Sequence, residues 1–174
     1  PRTIVGNPLA GIDKDELMDT TELVEQVNNF FLLNKDFSNL PRKFKIAIAI
    51  PPYNDVDVFT NDIGIIAVVE NNRLLGFNIA AGGGMGTTHG NLATYPRLAT
   101  VLGFVETGKL LDTVYAITTT QRDFGNRSDR KLSRLKYTID NMGVETFKKE
   151  VESRAGILFG SARPVSFIFR HDAY

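Results

Sequence analysis

Two basic stretches and one glycine run hold most of the residues able to do chemistry in this 174-residue chain. The first is RKFK, residues 42–45, at the start of an apolar, β-branched run. In extended chain, residues two apart share a face. Lys43 and Lys45 therefore point together, while Phe44 packs on the other side. Two ammonium groups converging on a pocket bind a small anion and donate protons to it. The same spacing also suits two lysines that lay their stems along an edge strand and keep their heads in water. Spacing alone leaves both readings open.

The second stretch is QRDFGNRSDR, residues 121–130, between two expected helices. Gln121, Arg122, Asn126, Arg127 and Arg130 make it dense in hydrogen-bond donors. Arginine forks match carboxylates and phosphates bidentately, so the segment suits a ligand bearing several acidic groups. Asp123 and Asp129 offer the arginines an internal alternative. Across residues 121–136 there are six Arg or Lys and two Asp, whereas residues 13–25 carry six acids and one Lys. One end of the chain is acidic and a later segment basic; an anionic ligand or a solvated helix accounts for the latter.

The glycine run is GGGMG, residues 82–86, continuing into TTHGN. Four glycines in five residues are costly to order. They imply close backbone approach, positive φ angles or a backbone anion nest. The run follows an expected strand but lacks the G-x-G-x-x-G spacing of a dinucleotide site and the G-K-[ST] ending of a P-loop. His89 and His171 are the only histidines, and they are too far apart in sequence to suggest a local metal site. No Ser-His-Asp order or G-x-S-x-G elbow occurs. With no cysteine, the chain supplies no thiolate for a disulfide, a zinc site or an iron–sulfur cluster. Redox chemistry would have to use a bound cofactor.

The elements that position these residues follow from hydrophobic periodicity. A helix is expected from Asp19 or Thr20 to about Leu32, with Leu23, Val24, Val27 and Phe31 on one face. Strands are expected over residues 45–50, 63–69 and 73–81, the last two joined by a tight turn at Asn71-Asn72. Pro51 and Pro52 end the first of them. A polar, turn-rich loop fills residues 54–61. Short and long helices are expected over 96–102, 107–120, 130–141 and 146–155, with a final strand at 165–169. The mixture points to an α+β fold, a mixed sheet of about five strands packed with helices. The length suits a single domain over residues 1–174.

Composition narrows the function classes. A 43% hydrophobic content with 23% charged residues is a poor fit to disorder. Formal net charge is zero, which gives no overall signal for nucleic acid. The longest apolar runs are too short to span a bilayer as a helix, so no membrane partner is expected. The chain opens Pro-Arg-Thr rather than with Met, as a processed or excised segment would, and no basic, apolar signal sequence opens it. The absence of cysteine is compatible with the expected cytoplasmic setting.

Several long blocks together resemble the sirohaem-dependent sulfite and nitrite reductases. They are NLPRKFKIAIAIPPYNDVDVFTNDIG, LLGFNIAAGGGMGTTHGN and TTQRDFGNRSDRKLSRLKYTIDNMGVETFKKEVESRAGI. The likeness runs from about Asn39 to Ile157 and is strongest to the haemoprotein (β) subunit of assimilatory sulfite reductase. The opening RTIVGNPLAGIDKDELMDT is nearer to the nitrite reductases. The resemblance implies the nitrite/sulfite reductase [4Fe-4S]-domain-like fold, here the larger α+β part of the first half of a pseudo-twofold enzyme. It implies six-electron reduction of sulfite to sulfide at a sirohaem, with a [4Fe-4S] cluster ligated by cysteines elsewhere in the polypeptide. Lys43 and Lys45 match the family lysines that hold the anion and deliver protons. Lys45 favours sulfite, because nitrite-type members often carry Asn at that place. Arg42, Gly82, Gly83, Gly84, Gln121, Arg122, Asn126, Arg127 and Arg130 match positions that contact the cofactor; Arg127 and Arg130 would reach its carboxylates, and Asp123 would orient neighbours. No metal ligand is expected in the segment itself. The implied partners are the remaining domains of the same polypeptide, an NADPH-dependent flavoprotein or a ferredoxin as electron donor, and sulfite or nitrite as substrate. The corresponding part of a ferredoxin-dependent nitrite reductase, and a non-catalytic tetrapyrrole- or anion-binding module, are the competing readings.

Overall fold

The computed structural model describes residues 3–168. Five strands form one sheet in the order β1-β2-β3-β4-β5: β1 Thr3–Val5, β2 Lys45–Ala49, β3 Ile63–Glu70, β4 Arg73–Ala81 and β5 Thr100–Glu106. β1, β2 and β3 run parallel, and β3, β4 and β5 run antiparallel to their neighbours. Four helices accompany them: α1 Thr21–Leu33, α2 Leu110–Phe124, α3 Leu135–Met142 and α4 Val144–Ala155. The fold is the expected α+β arrangement of a five-stranded mixed sheet and helices.

Local chemistry accounts for much of this. A parallel pair needs a crossover, and the connection that carries α1 supplies it between β1 and β2. α1 buries Leu23, Val27 and Phe31, residues three and four apart on one face. The β3–β4 hairpin turns at Asn71 and Asn72, with φ of 49° and 58°. Asparagine tolerates this left-handed backbone, which matches the twist of a two-residue hairpin. β2 and β3 are buried on both faces, which explains their continuous apolar runs. On one face Ile46, Ile48, Ile63, Ile65, Phe77 and Ile79 belong to the main core with helix residues such as Phe31, Val114, Ile117 and Phe147. On the other, Ala47, Ala49, Val58 and Ile66 are covered by Val56, Phe59, Val165 and Phe167.

Several boundaries differ from the sequence-based expectation. Residues 96–102 form no helix. Arg97 bridges Gly84 in antiparallel fashion, and Thr100 and Val101 pair with Ala81 and Ala80 in the sheet. Long-range pairing overrides the local pattern there. α2 begins after a single 3-10 turn at Thr107–Lys109 and runs on to Phe124, so Gln121 and Arg122 lie on its last turn rather than in a loop. Residues 130–141 divide into a 3-10 turn, Arg130–Leu132, and α3. Residues 165–168 form no strand: Phe167 packs on the second face, the Ile168 N–H donates to the Pro52 carbonyl, and Phe169 lies outside the described residues. The loop before β3 is internally bonded. The Asn61 amide is buried and donates to the carbonyls of Val56 and Asp57. Among the described residues no helix is long and apolar enough to cross a membrane.

Candidate functional site

A cleft of about 210 Å³ opens beside the start of β2. Arg42 and Lys43 line it from the segment entering that strand. Lys131, Arg134, Lys136 and Tyr137 line it from the 3-10 turn and α3, and Gly86, Thr87, Thr88 and Thr94 from the loop after β4. Segments more than eighty residues apart in sequence thus bring five cationic side chains to one small space. Another cleft, about 400 Å³, is lined by Phe104, Val105, Ile157 and Leu158 at the β5 edge and shares no lining residue with this cluster.

Strand alternation holds at RKFK: Phe44 is buried, and Lys43 and Lys45 are exposed. β2 is an interior strand between β1 and β3, so these lysines do not lie on an edge strand. Lys43 lines the cleft, whereas Lys45, the first residue of β2, does not. The Lys45 N–H instead donates to Asp62 Oδ2 at 2.9 Å.

Asp62 has no exposure and is the one carboxylate paired with a cleft cation in a salt bridge among the described residues. Arg134, at the N-terminus of α3, forks onto it with Nε to Oδ1 at 3.2 Å and Nη2 to Oδ2 at 2.9 Å. Burial pushes the Asp62 carboxyl up, while Arg134, the Lys45 N–H and Lys43 pull it down. Bidentate pairing with two charge-assisted hydrogen bonds is what makes a buried carboxylate tolerable. One buried acid therefore ties the start of β2 to the start of α3, the two elements that carry the cleft cations.

The glycine run is explained largely by the protein itself. Gly82 has φ of 85°. A Cβ at Gly83 would sit 2.3 Å from the Phe59 carbonyl oxygen, and one at Gly84 3.0 Å from the Arg134 guanidinium. The N–H groups of Gly82, Gly83 and Gly84 donate to the carbonyls of Asp62, Asn61 and Arg97, so they form no anion nest. Arg97 anchors the run from its other side, donating to the Gly82 carbonyl at 3.0 Å and pairing with Asp140 at 2.9 Å.

The donor-rich segment after the core of α2 does different work. Gln121 is buried, donates to the Ser133 carbonyl and accepts from the Thr138 hydroxyl. Arg122 pairs with Asp123 and Asp36, and Arg154 pairs with Asp123 and Glu150. These arginines hold the Asp123 carboxyl at about 2, with the Arg122 hydrogen bond the largest cause. Asn126 accepts from the Ser128 and Asp129 N–H groups, and Arg127 donates to the Asn39 and Arg122 carbonyls. Arg130 is exposed in the 3-10 turn beside Lys131. His89 is exposed, and His171 lies outside the described residues. Asp62, Lys131, Arg134 and Lys136 were not singled out from sequence; a basic residue every two or three positions from Lys131 to Lys136 was the available signal.

A mixed sheet backed by helices, with a cationic cleft beside one buried carboxylate, defines an α+β domain with a basic cleft. The chain belongs to the family described as "Nitrite and sulphite reductase 4Fe-4S domain", which matches residues 1–159. It is 67% identical over 135 residues to the sulfite reductase [NADPH] hemoprotein beta-component of Leptospira biflexa, covering 78% of this chain and 24% of that protein. It is 53% identical over 164 residues to the protein of the same name from Shewanella sp. W3-18-1, covering 94% of this chain and 28% of that one. The fold matches the structure of the Mycobacterium tuberculosis NirA protein with a TM-score of 0.78 at 32% identity, over 98% of this chain and 31% of that one. The chain thus spans about a quarter of the length of these curated relatives.

Proposed function

We propose that the chain forms the sirohaem- and substrate-binding part of a sulfite reductase that carries out the six-electron reduction of sulfite to sulfide. One observation carries this reading: Arg42, Lys43, Lys131 and Arg134 converge on a cleft beside the fully buried carboxylate of Asp62, which pairs with Arg134. Such a site favours anions. The names of the curated relatives, sulfite reductase haemoproteins, support sulfite over nitrite.

The donor set fits a carboxylate-rich tetrapyrrole. Arg42, Lys131 and Arg134 would hold its acidic groups, with Arg130 beside them and Gly82–84 backing the cleft wall. When bound, sirohaem would supply the electron-accepting iron. Lys43 would pair with an oxygen of the anion and hold a proton for it on Nζ. Lys45, one turn of the pleat further on, would serve the outer edge of the same site. Arg122, Asn126, Arg127 and Gln121 would act by holding the segment that carries Arg130 and Lys131, and Asp123 would orient Arg122. The chain cannot itself ligate an iron–sulfur cluster through thiolates, because it has no cysteine. The cluster would be held by another part of the polypeptide, whose remaining domains would complete the site. The implied setting is the cytoplasm, with an NADPH-dependent flavoprotein as donor, as the relatives' names indicate, or a ferredoxin.

The test is the absorption spectrum of the full-length protein, purified with sirohaem supplied, before and after sulfite. A tetrapyrrole band that shifts with sulfite supports the reading. Absence of any tetrapyrrole would favour the non-catalytic anion-binding module. Faster turnover of nitrite than sulfite would favour the nitrite reductase.

A further inference from the structure

Lys136 is 1% exposed, yet its ammonium reaches the cleft from within the protein. Nζ donates to the Gly84 carbonyl at 2.9 Å, to the Gly86 carbonyl at 3.0 Å and to the Tyr95 carbonyl. An ammonium has three donors and no acceptor, so all three are used. The charge also lies 4.9 Å from the Tyr137 ring centroid and 5.7 Å from that of Tyr95. A cation spent in this way has no N–H left for a substrate. Its carbonyl partners flank both ends of the loop over residues 85–95. That loop is also secured at Tyr95, whose hydroxyl donates to Asp140 Oδ2 at 2.7 Å and whose ring meets that of Tyr137 edge-on, and at its base and waist. Gly84 and Arg97 exchange backbone hydrogen bonds, and the Thr94 hydroxyl accepts from the Thr88 N–H at 2.8 Å. Thr87, Thr88 and Thr94 then form one wall of the cleft.

We propose that Lys136 is a positioning residue, a buried ammonium clamp that closes the 85–95 loop and so fixes the threonine wall against the anion that pairs with Lys43. The proposal rests on the anion reading of the cleft, but its structural half stands without that reading. A methionine at 136 keeps the approximate length of the side chain and removes all three donors. The three carbonyls would then be left without their common partner, and the loop would open from both ends.

The test compares the full-length protein with its Lys136→Met, Lys136→Arg and Thr94→Val variants. Hydrogen exchange of residues 84–97 reads the loop, and a sulfite titration at matched cofactor content reads the cleft. In Lys136→Met the amides of this loop are expected to exchange at least tenfold faster, with sulfite affinity down about tenfold. Lys136→Arg keeps the charge but not the compact three-donor geometry, so intermediate values are expected. Thr94→Val loosens the same loop without touching the lysine and keeps the proposal testable if Lys136→Met does not fold. Its expected signature is faster exchange with a two- to fivefold loss of sulfite affinity. Unchanged exchange in the folded Lys136 variants would overturn the clamp. Faster exchange with unaltered sulfite affinity, in any variant, would overturn the link to the cleft. The anion reading fails separately, if the unaltered protein does not bind sulfite.

Discussion

Two regions of this molecule are rich in arginine and lysine, and they use their charge in opposite ways. At the end of α2, Arg122 and Arg154 meet Asp36, Asp123 and Glu150, so the acids outnumber the arginines three to two. Around the cleft, Arg42, Lys43, Lys131, Arg134 and Lys136 gather near Asp62, the one carboxylate among the described residues for which a salt bridge to a cleft cation, Arg134, is seen, and it is fully buried. Density of basic residues does not distinguish the regions. The number and depth of the nearby acids does. A cation paired at the surface is a structural contact worth little. Cations clustered over one buried acid keep a net positive field for a ligand.

The largest effect should come from breaking the buried pair. Arg134→Ala strands the Asp62 carboxylate without its fork, and a loss of roughly 3–5 kcal/mol is expected in chemical denaturation. Asp62→Ala should be comparably harmful, and a double-mutant cycle should show strong coupling between them. A loss within about 0.5 kcal/mol for either single variant would undo the view that this pair ties β2 to α3.

Gly83→Ala comes next. A methyl group 2.3 Å from the Phe59 carbonyl oxygen must displace backbone, at an expected cost of about 1–3 kcal/mol. The same change at Gly86, where nothing lies within 4 Å of the added carbon, should cost less than about 1 kcal/mol. Equal thermal shifts for the two would show that the glycines do not serve close packing.

The smallest stability effect belongs to the surface network. Asp123 is held at about 2 in the folded chain, below the value of about 3.9 for an unperturbed aspartate. A depressed carboxyl contributes stability above pH of about 4 and loses it as the pH falls toward 2. Because its side chain is 38% exposed, solvent screening limits the contribution to less than about 1 kcal/mol. Asp123→Asn should therefore lower stability slightly at pH 7, and the difference from the parent should vanish near pH 2 and shrink in high salt. A difference that grows on acidification would contradict this sign.

Local signals made much of the scaffold legible. The Asn71-Asn72 turn, the three consecutive apolar strands and the face of α1 each follow from a few neighbouring residues. β5 was hidden because its pairing with β4, and the Arg97–Gly84 bridge before it, are long-range contacts that override a short helix-like pattern. At the site, Lys43 could be found from spacing, since alternation in an incoming strand is local. Arg42 followed only from the family resemblance, and Lys45, which the same spacing set beside Lys43, does not line the cleft. Asp62 could not: an Asn-Asp pair before a strand reads as a turn, and only the folded chain shows Arg134 closing over it. Lys136 sits between Leu135 and Tyr137 and looks like a solvated helix charge until the glycine loop carbonyls are placed around it. The reverse held for Gln121 and Arg122. Their donor-rich chemistry was visible, but the extension of α2 to Phe124 directs it to internal partners.

The most direct test of the contrast between the two regions is sulfite affinity in the full-length protein at matched sirohaem content. Replacing Lys43 by alanine should weaken sulfite binding at least about tenfold, the loss of a charge-assisted contact. Replacing Arg122 and Arg154 by alanine should leave it within about twofold. Equal losses from the Lys43 change and from the arginine pair, or an unchanged affinity without Lys43, would contradict the assignment of the cleft as the anion site.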